Sequence, residues 1–303
     1  MTRPLDYDSK IVLIGSCFAE NLTGKLDYYK FQNSSNPFGI LFHPQAITNF
    51  FEAVEEKRVF TKEDLVYNQE RWHSFLAHSA LSDPEPEKVV DNLNKAVLAT
   101  YEYFKSATHI FITLGTAWGY HHKKTGKIVA NCHKLPQNRF EKELGGVSEI
   151  TGSLQKILNI IDRFTDASVI FTVSPVRHLK DGFVENQRSK AHLIAAVHEV
   201  VAAPDKVTYF PSYEIMMDEL RDYRFYDRDM LHPSIIAIDY IWERFAEVAL
   251  SPQAKKYAGQ IEEVQKMMAH RPFNPESKQH KKFLSALAHK KTTLLKELSH
   301  LHF

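Results

Sequence analysis

Ser16 stands in the run Lys10-Ile-Val-Leu-Ile-Gly-Ser-Cys-Phe-Ala-Glu20. A serine hydroxyl becomes a nucleophile when a base takes its proton and a carboxylate orients that base. Both partners stand far down the chain: Asp229 and His232 lie at i, i+3 in Tyr226-Asp-Arg-Asp-Met-Leu-His-Pro-Ser234. In such a turn the carboxylate can reach one imidazole nitrogen while the other faces the serine. Asp227 competes for the orienting role, and the spacing favours Asp229. The chemistry open to this set is acyl transfer through a covalent acyl-serine. The plainer role for Ser16 is a helix N-cap. Cys17 is a rival nucleophile, since a helix N-terminus can lower a thiol pKa. Adjacent residues at a helix start point in different directions, however. A cleft-facing Ser16 therefore leaves Cys17 packed inward as a small apolar residue.

The elements around these residues must bring them together. Ile11–Ile14 is apolar and largely β-branched, and it ends at Gly15, where a helical pattern begins with Phe18, Leu22 and Leu26 on one face. A strand that turns into a helix at Gly-Ser sets the hydroxyl at the carboxyl edge of a sheet, where open α/β sheets bind ligands. Further strands are read at Thr108–Leu114, Ser168–Val173 and Val207–Phe210, apolar on both faces as buried parallel strands require. A fifth is expected around Tyr29–Asn33. Helices are expected at Pro86–Phe104, with Ser82 and Glu85 as a capping box, and at Val147–Phe164, Gln187–Ala203 and Ile235–Leu250. The alternation predicts an α/β fold, a three-layer αβα sandwich with a mostly parallel sheet. Its strand ends collect Ser16, Gly115 to Trp118, and Ser174 to His178.

Two stretches interrupt this alternation. Residues 57–82 mix Tyr67, Trp72, His73, Phe75 and His78 with polar groups, as a substrate-lining wall or a self-pinned loop would. Residues 120–136 read as a β-hairpin turning at Thr125-Gly126 and able to carry Asn131 and His133 over the site. Trp118, His133, Arg177 and His178 are the expected substrate contacts. Arg177, His178, Arg188 and Lys190 could together meet a carboxylate or phosphate. His121, His122, Cys132 and His133 lack a standard zinc spacing, so no metal and no cofactor are expected. Residues 251–303 carry ten Lys/Arg against four Asp/Glu. Within them, Ser277 to Phe303 reads as an amphipathic helix with Leu284, Leu287, Leu294, Leu298 and Leu301 on one stripe. The division is therefore a 1–250 catalytic-type domain and a 251–303 basic helical extension. That helix is placed on its own domain or on a second subunit, as in a homo-oligomer.

Gly15-Ser-Cys-Phe-Ala19 resembles the motif that names the GSCFA-domain proteins, which look like a branch of the SGNH (GDSL-type) hydrolase superfamily. The resemblance runs from about Ile11 to His232. It includes Asn36-Pro-Phe-Gly-Ile40, Leu114-Gly-Thr-Ala-Trp118, Asn131-Cys-His-Lys134, Ser174-Pro-Val-Arg-His178, Glu185-Asn-Gln-Arg-Ser-Lys190 and Asp229-Met-Leu-His232. It implies a Ser16–His232–Asp229 triad and an oxyanion hole made by the N–H groups of Ser16 and Gly39. A third donor, an Asn side chain in the third block, is replaced here by Ala117, and Asn131 is the expected substitute. The implied activity is that of a serine esterase or deacylase on a sugar, lipid or small-molecule ester. An acyltransferase with the same triad, or a non-catalytic ligand-binding protein, are the alternatives.

Composition narrows the classes further. The chain has 303 residues, 44% of them hydrophobic, enough for a sizeable core, and a formal charge of +1. That balance argues against a general nucleic-acid binder. Two cysteines make no disulfide framework. No run approaches the length of a transmembrane helix, and Met1 to Ser9 is polar, so a cytoplasmic location is the expectation.

Overall fold

A computed structural model describes residues 3–201 and 206–303. Its centre is a five-stranded parallel sheet in the order β2-β1-β5-β8-β9. The strands are β1 (Lys10–Gly15), β2 (Gln32–Ser35), β5 (His109–Leu114), β8 (Ser168–Val173) and β9 (Val207–Phe210). Strand geometry sends alternate side chains to opposite faces, and the sequence uses both. Val12, Ile14, Ile110, Ile112, Val169 and Phe171 pack on one side against α2 (Pro44–Glu55), α3 (Pro86–Phe104), α4 (Val147–Phe164) and α5 (Phe183–Val201). Ile11, Leu13, Phe111 and Ile170 pack on the other side against α1 (Cys17–Tyr28) and α7 (Ile235–Ala249). The result is the expected three-layer sandwich.

The second layer does not stop at α7. Helix α8 (Pro252–Ala269) contributes Ile261 and Val264 to the same core as Phe18 and Phe245, and α9 (Lys278–Glu297) contributes Leu294. The basic extension is thus packed on its own chain. Leu284, at one end of the predicted stripe, is exposed, whereas Leu294, Leu298 and Leu301 are buried. No helix among the described residues is long and apolar enough to cross a membrane.

Several local expectations change. The edge strand lies at Gln32–Ser35 rather than Tyr29–Asn33, because α1 runs to Tyr28 and Lys30 takes a positive φ of 64° to reverse the chain. The expected capping box before α3 is not formed. Glu85 is the N-cap and makes no side-chain cap bond, while Ser82 Oγ is held by His73 Nδ1 at 2.6 Å. Helix α5 starts at Phe183, four residues before the expected Gln187; Ala202 and Ala203, at its expected end, lie outside the described residues.

Residues 57–82 contain a true hairpin, β3 (Leu65–Asn68) with β4 (Arg71–Ser74). The turn at Thr125-Gly126 exists, with Gly126 N–H donating to His122 O at 2.8 Å. Yet the main partner of β6 (Trp118–His122) is β7 (Phe140–Leu144), and residues 127–136 only brush β6. A short α6 (Ser212–Glu214), a π-helical turn, Ile215–Glu219, and a 3-10 turn, Tyr223–Phe225, lead to the Asp-His segment.

Candidate active site

Gly15 is demanded by the way β1 ends. Its φ is +142°, and a Cβ there would lie 2.1 Å from the carbonyl oxygen of Thr113 on β5. The close approach lets the ladder run one residue further, so Ser16 N–H donates to Thr113 O at 3.0 Å. Ser16 then starts α1 as its N-cap in extended conformation, φ −75° and ψ 177°.

An N-cap serine ordinarily accepts a bond from an N2 or N3 amide. Ser16 Oγ makes no such bond. The residue is only 1% exposed, and its hydroxyl has no hydrogen-bond partner among the described residues. A buried hydroxyl left without a partner costs about 1–3 kcal/mol, and it performs no capping in return.

Asp229 and His232 sit on a tight loop before α7. Asp229 Oδ1 accepts the N–H groups of Leu231, at 2.9 Å, and His232, at 3.0 Å, while Oδ2 meets His232 Nδ1 at 2.5 Å. These bonds, the two backbone ones foremost, hold the Asp229 carboxyl down at about 2. Asp227 instead caps its own turn, accepting from Arg228 N–H at 2.7 Å, so Asp229 is the carboxylate that orients the imidazole. The loop is tied to the end of β8 by Arg177 N–H donating to Leu231 O at 3.1 Å. Half of the expected relay is therefore formed. The Ser16–His232 bond is not made, since Ser16 Oγ is unpartnered and the His232 side chain is 42% exposed.

Cys17 does not pack inward as expected. It is half-buried and lines a cavity of 540 Å³ with His232, Glu20, Asn21, Asp227 and Ser234. Helix entry turns the residue after Ser16 outward along α1, so the two neighbours exchange their expected exposures. Burial pushes the Cys17 thiol above its ordinary value, and the Glu20 carboxylate adds to the rise.

The groups expected to serve as oxyanion donors are engaged elsewhere or lie apart. Besides Ser16 N–H, the Gly39 N–H is engaged, closing a turn on Asn36 O at 2.7 Å. Gly39 is needed for another reason: its φ is +71°, and a Cβ would meet His78 Cβ at 2.5 Å. Backbone amides of the third block are committed as well. Gly115 N–H donates to Phe42 O at 2.9 Å, and Ala117 N–H to Ser189 Oγ at 2.7 Å. Asn131 lines a separate cavity of 310 Å³ with Trp118, Tyr120, Thr116 and Lys180, and its Oδ1 accepts His133 N–H at 2.8 Å.

Of the expected substrate contacts, Trp118 borders that cavity, with Nε1 donating to Glu185 O at 3.2 Å. His133 does not face it. Residues 57–82 enclose its ring, which bonds Ser74 O at 2.8 Å and Ser79 Oγ at 3.1 Å and stacks on His73.

Nor do the four basic residues form an anion site. Arg177 lies over the Tyr226 ring at 3.9 Å, and Arg188 pairs with Glu185 at 2.9 Å. Burial, with Lys190 and His232 nearby, holds His178 down at about 3, so it is neutral near pH 7. Its Nε2 is buried and unpartnered among the described residues.

Lys190 is 1% exposed. Its Nζ donates to Gly115 O at 2.8 Å and Ser174 O at 2.7 Å, joining the loops after β5 and β8. Burial lowers it from 10.5 to about 7. A neutral amine has two N–H donors, which matches these two acceptors. Lys190→Met is expected to destabilise the fold by about 2–4 kcal/mol, because two buried carbonyls lose their donor. A lowered lysine pKa means the unfolded chain binds the extra proton between about pH 7 and 10.5. Wild-type stability should accordingly gain from this group as pH rises through that window. Urea unfolding across the window measures it, and parallel pH curves for wild type and Lys190→Met would contradict the account.

A parallel α/β sheet thus carries, at its carboxyl edge, a strand-to-helix serine and an exposed Asp-His pair. Residues 10–245 match the GSCFA family, and residues 261–303 match the GSCFA domain protein, C-terminal domain. The chain belongs to the GSCFA family. No curated protein matches it.

Proposed function

We propose that this protein is a serine-dependent acyl-transfer enzyme of SGNH type, an esterase or deacylase acting on a sugar, lipid or small-molecule ester. The observation that carries the reading is the state of Ser16 Oγ: buried at the strand end, at an N-cap position, and used among the described residues neither as a cap nor in any other bond. Native folds rarely leave such a group idle, and a catalytic role is one of the explanations for a buried polar atom without a partner. Its chemical partners lie on the same edge, with His232 already held in one orientation by Asp229.

In this mechanism Ser16 Oγ attacks the acyl carbon as His232 Nε2 takes its proton. The carbonyl pair moves to oxygen, and the tetrahedral intermediate collapses as the leaving alcohol receives the proton from His232. Water, or a second alcohol in the transferase case, then releases the acyl group by the reverse sequence. Ser16 is covered and His232 is exposed, so attack requires a rearrangement that uncovers Ser16 Oγ and brings His232 Nε2 to it, in keeping with the looser catalytic bonds of unliganded enzymes.

Labelling with an alkyl fluorophosphonate tests this. Mass spectrometry of the digested adduct should find the phosphonyl group on Ser16. An adduct on another residue, or none with native protein, would favour a ligand-binding protein that keeps the fold without the chemistry.

A further inference from the structure

The acyl-transfer reading leaves its oxyanion short of a donor, because the backbone amides expected to serve are already bonded within the protein and Asn131 lines a separate cavity. Among the described residues, four buried side-chain atoms without a partner instead lie at the carboxyl ends of neighbouring strands: Ser16 Oγ after β1, Asn36 Nδ2 after β2, Thr113 Oγ1 on β5 and His178 Nε2 beyond β8. Of these, the Asn36 NH₂ is the group that can only donate.

The orientation of that amide is determined. Asn36 Oδ1 accepts Gly15 N–H at 2.8 Å, and an N–H must face an oxygen, so Nδ2 is directed away from Gly15. The backbone is anchored too, with Asn36 N–H donating to Leu13 O at 2.9 Å. Its φ of 42° lies in the left-handed region that asparagine tolerates better than most side chains. The carboxamide is therefore a rigid group bonded to the residue that immediately precedes Ser16. Pre-oriented donors of this kind are what an oxyanion hole requires.

We propose that Asn36 Nδ2 donates the side-chain hydrogen bond to the oxyanion formed at Ser16, replacing the carboxamide that the third block lacks at Ala117. The proposal rests on the acyl-transfer reading. When the Ser16 Oγ–carbon bond forms, the carbonyl π pair becomes the oxyanion that Nδ2 receives. When the bond to the leaving oxygen breaks, that pair returns and the hydrogen bond relaxes. Nδ2 neither gives up nor gains a proton.

Asn36→Asp is the informative variant. It keeps an acceptor for Gly15 N–H and the tolerance of positive φ, and it exchanges the donor for an acceptor. Asn36→Ala would disturb both backbone and acceptor. The measurements are turnover of short aryl esters, the rate of fluorophosphonate adduct formation by intact mass, and the thermal midpoint. Asn36→Asp is expected to lower kcat and kcat/KM together by about 10²–10³-fold with KM little changed, and the buried carboxylate should lower the thermal midpoint as well. Adduct formation should slow in parallel. Should Asn36→Asp fail to fold, Asn36→Gly, which suits the positive φ, decides by the same rates.

Wild-type rates in the folded variant would overturn the assignment. A rise in KM alone would also overturn it, by making Asn36 a ground-state contact. If wild type forms no adduct at Ser16 and Ser16→Ala hydrolyses the esters equally well, the parent reading fails and the Asn36 role falls with it. That outcome is distinguishable from a labelled wild type that is indifferent to Asn36.

Discussion

Ser16→Ala is expected to lower turnover of short aryl esters by about 10⁴-fold or more, while Cys17→Ala leaves kcat nearly unchanged. Exposure alone would favour the thiol, since Cys17 lines the cavity with His232 and Ser16 is covered. Chemistry favours the hydroxyl. Burial raises the Cys17 thiol above its ordinary 9.0, which leaves little thiolate near neutral pH. Ser16 Oγ, in contrast, is an unpartnered group that the fold carries at a cost.

The same observation gives an unusual stability expectation. Replacing a working N-cap serine by alanine costs about 0.5–2 kcal/mol. Here the hydroxyl caps nothing, so Ser16→Ala should hold or raise the thermal midpoint while activity disappears. Paired kinetics and thermal unfolding check both halves. A lost cap, seen as a lowered midpoint with activity retained, would return Ser16 to a structural role. Equal loss of turnover in Cys17→Ala at unchanged midpoint would move the nucleophile by one residue.

What could be read from sequence divides by the range of the interactions concerned. The strand-to-helix turn at Gly15-Ser16 and the Asp229–His232 pair were both predicted, because each is built within a few consecutive residues. The layer order followed from strands with no polar face, such as Ile11–Ile14, and the structure matches it. The hydroxyl's idleness was not predictable, since a serine before a helix caps it in most folds.

Lys190 was grouped with a possible anion site because its actual acceptors, Gly115 O and Ser174 O, belong to loops on other strands. Asn36 stood in view inside Asn36-Pro-Phe-Gly-Ile40, but its part depends on a bond to Gly15 across β2 and β1. His133 was misplaced because residues 57–82, read as irregular, fold into the hairpin that buries it. One local signal was missed. Phe140-Glu-Lys-Glu-Leu144 alternates in polarity as a half-buried strand does, and it pairs with β6 where residues 127–136 were expected.

Asp229→Asn should lower kcat by about 10³–10⁴-fold with little change in fold. An asparagine can keep Oδ1 as the acceptor for Leu231 and His232 N–H, so the loop retains its shape. Its NH₂ then faces His232 Nδ1, and two donors cannot share a hydrogen. Nδ1 must become the acceptor, which places the imidazole proton on Nε2, the nitrogen that in the proposed mechanism receives the Ser16 proton.

The pH dependence separates this effect from simple loss of charge. Folding lowers the Asp229 carboxyl from 3.8 to about 2. Its contribution to stability is therefore present above about pH 4 and is lost as pH falls from there towards 2. Solvent screens a pair this exposed, so the stability change is small at neutral pH. Because Asp229 stays ionised down to about pH 2, its protonation should add nothing to the wild-type rate profile above that pH. Asp227→Asn is the matched control: among the described residues Asp227 Oδ1 accepts only from Arg228 N–H, so that variant should retain wild-type kcat. Should the two exchange behaviour, with Asp229→Asn active and Asp227→Asn inactive, the orienting carboxylate would be Asp227, and the Asp229–His232 bond at 2.5 Å would be a feature of the resting loop rather than of the reacting one.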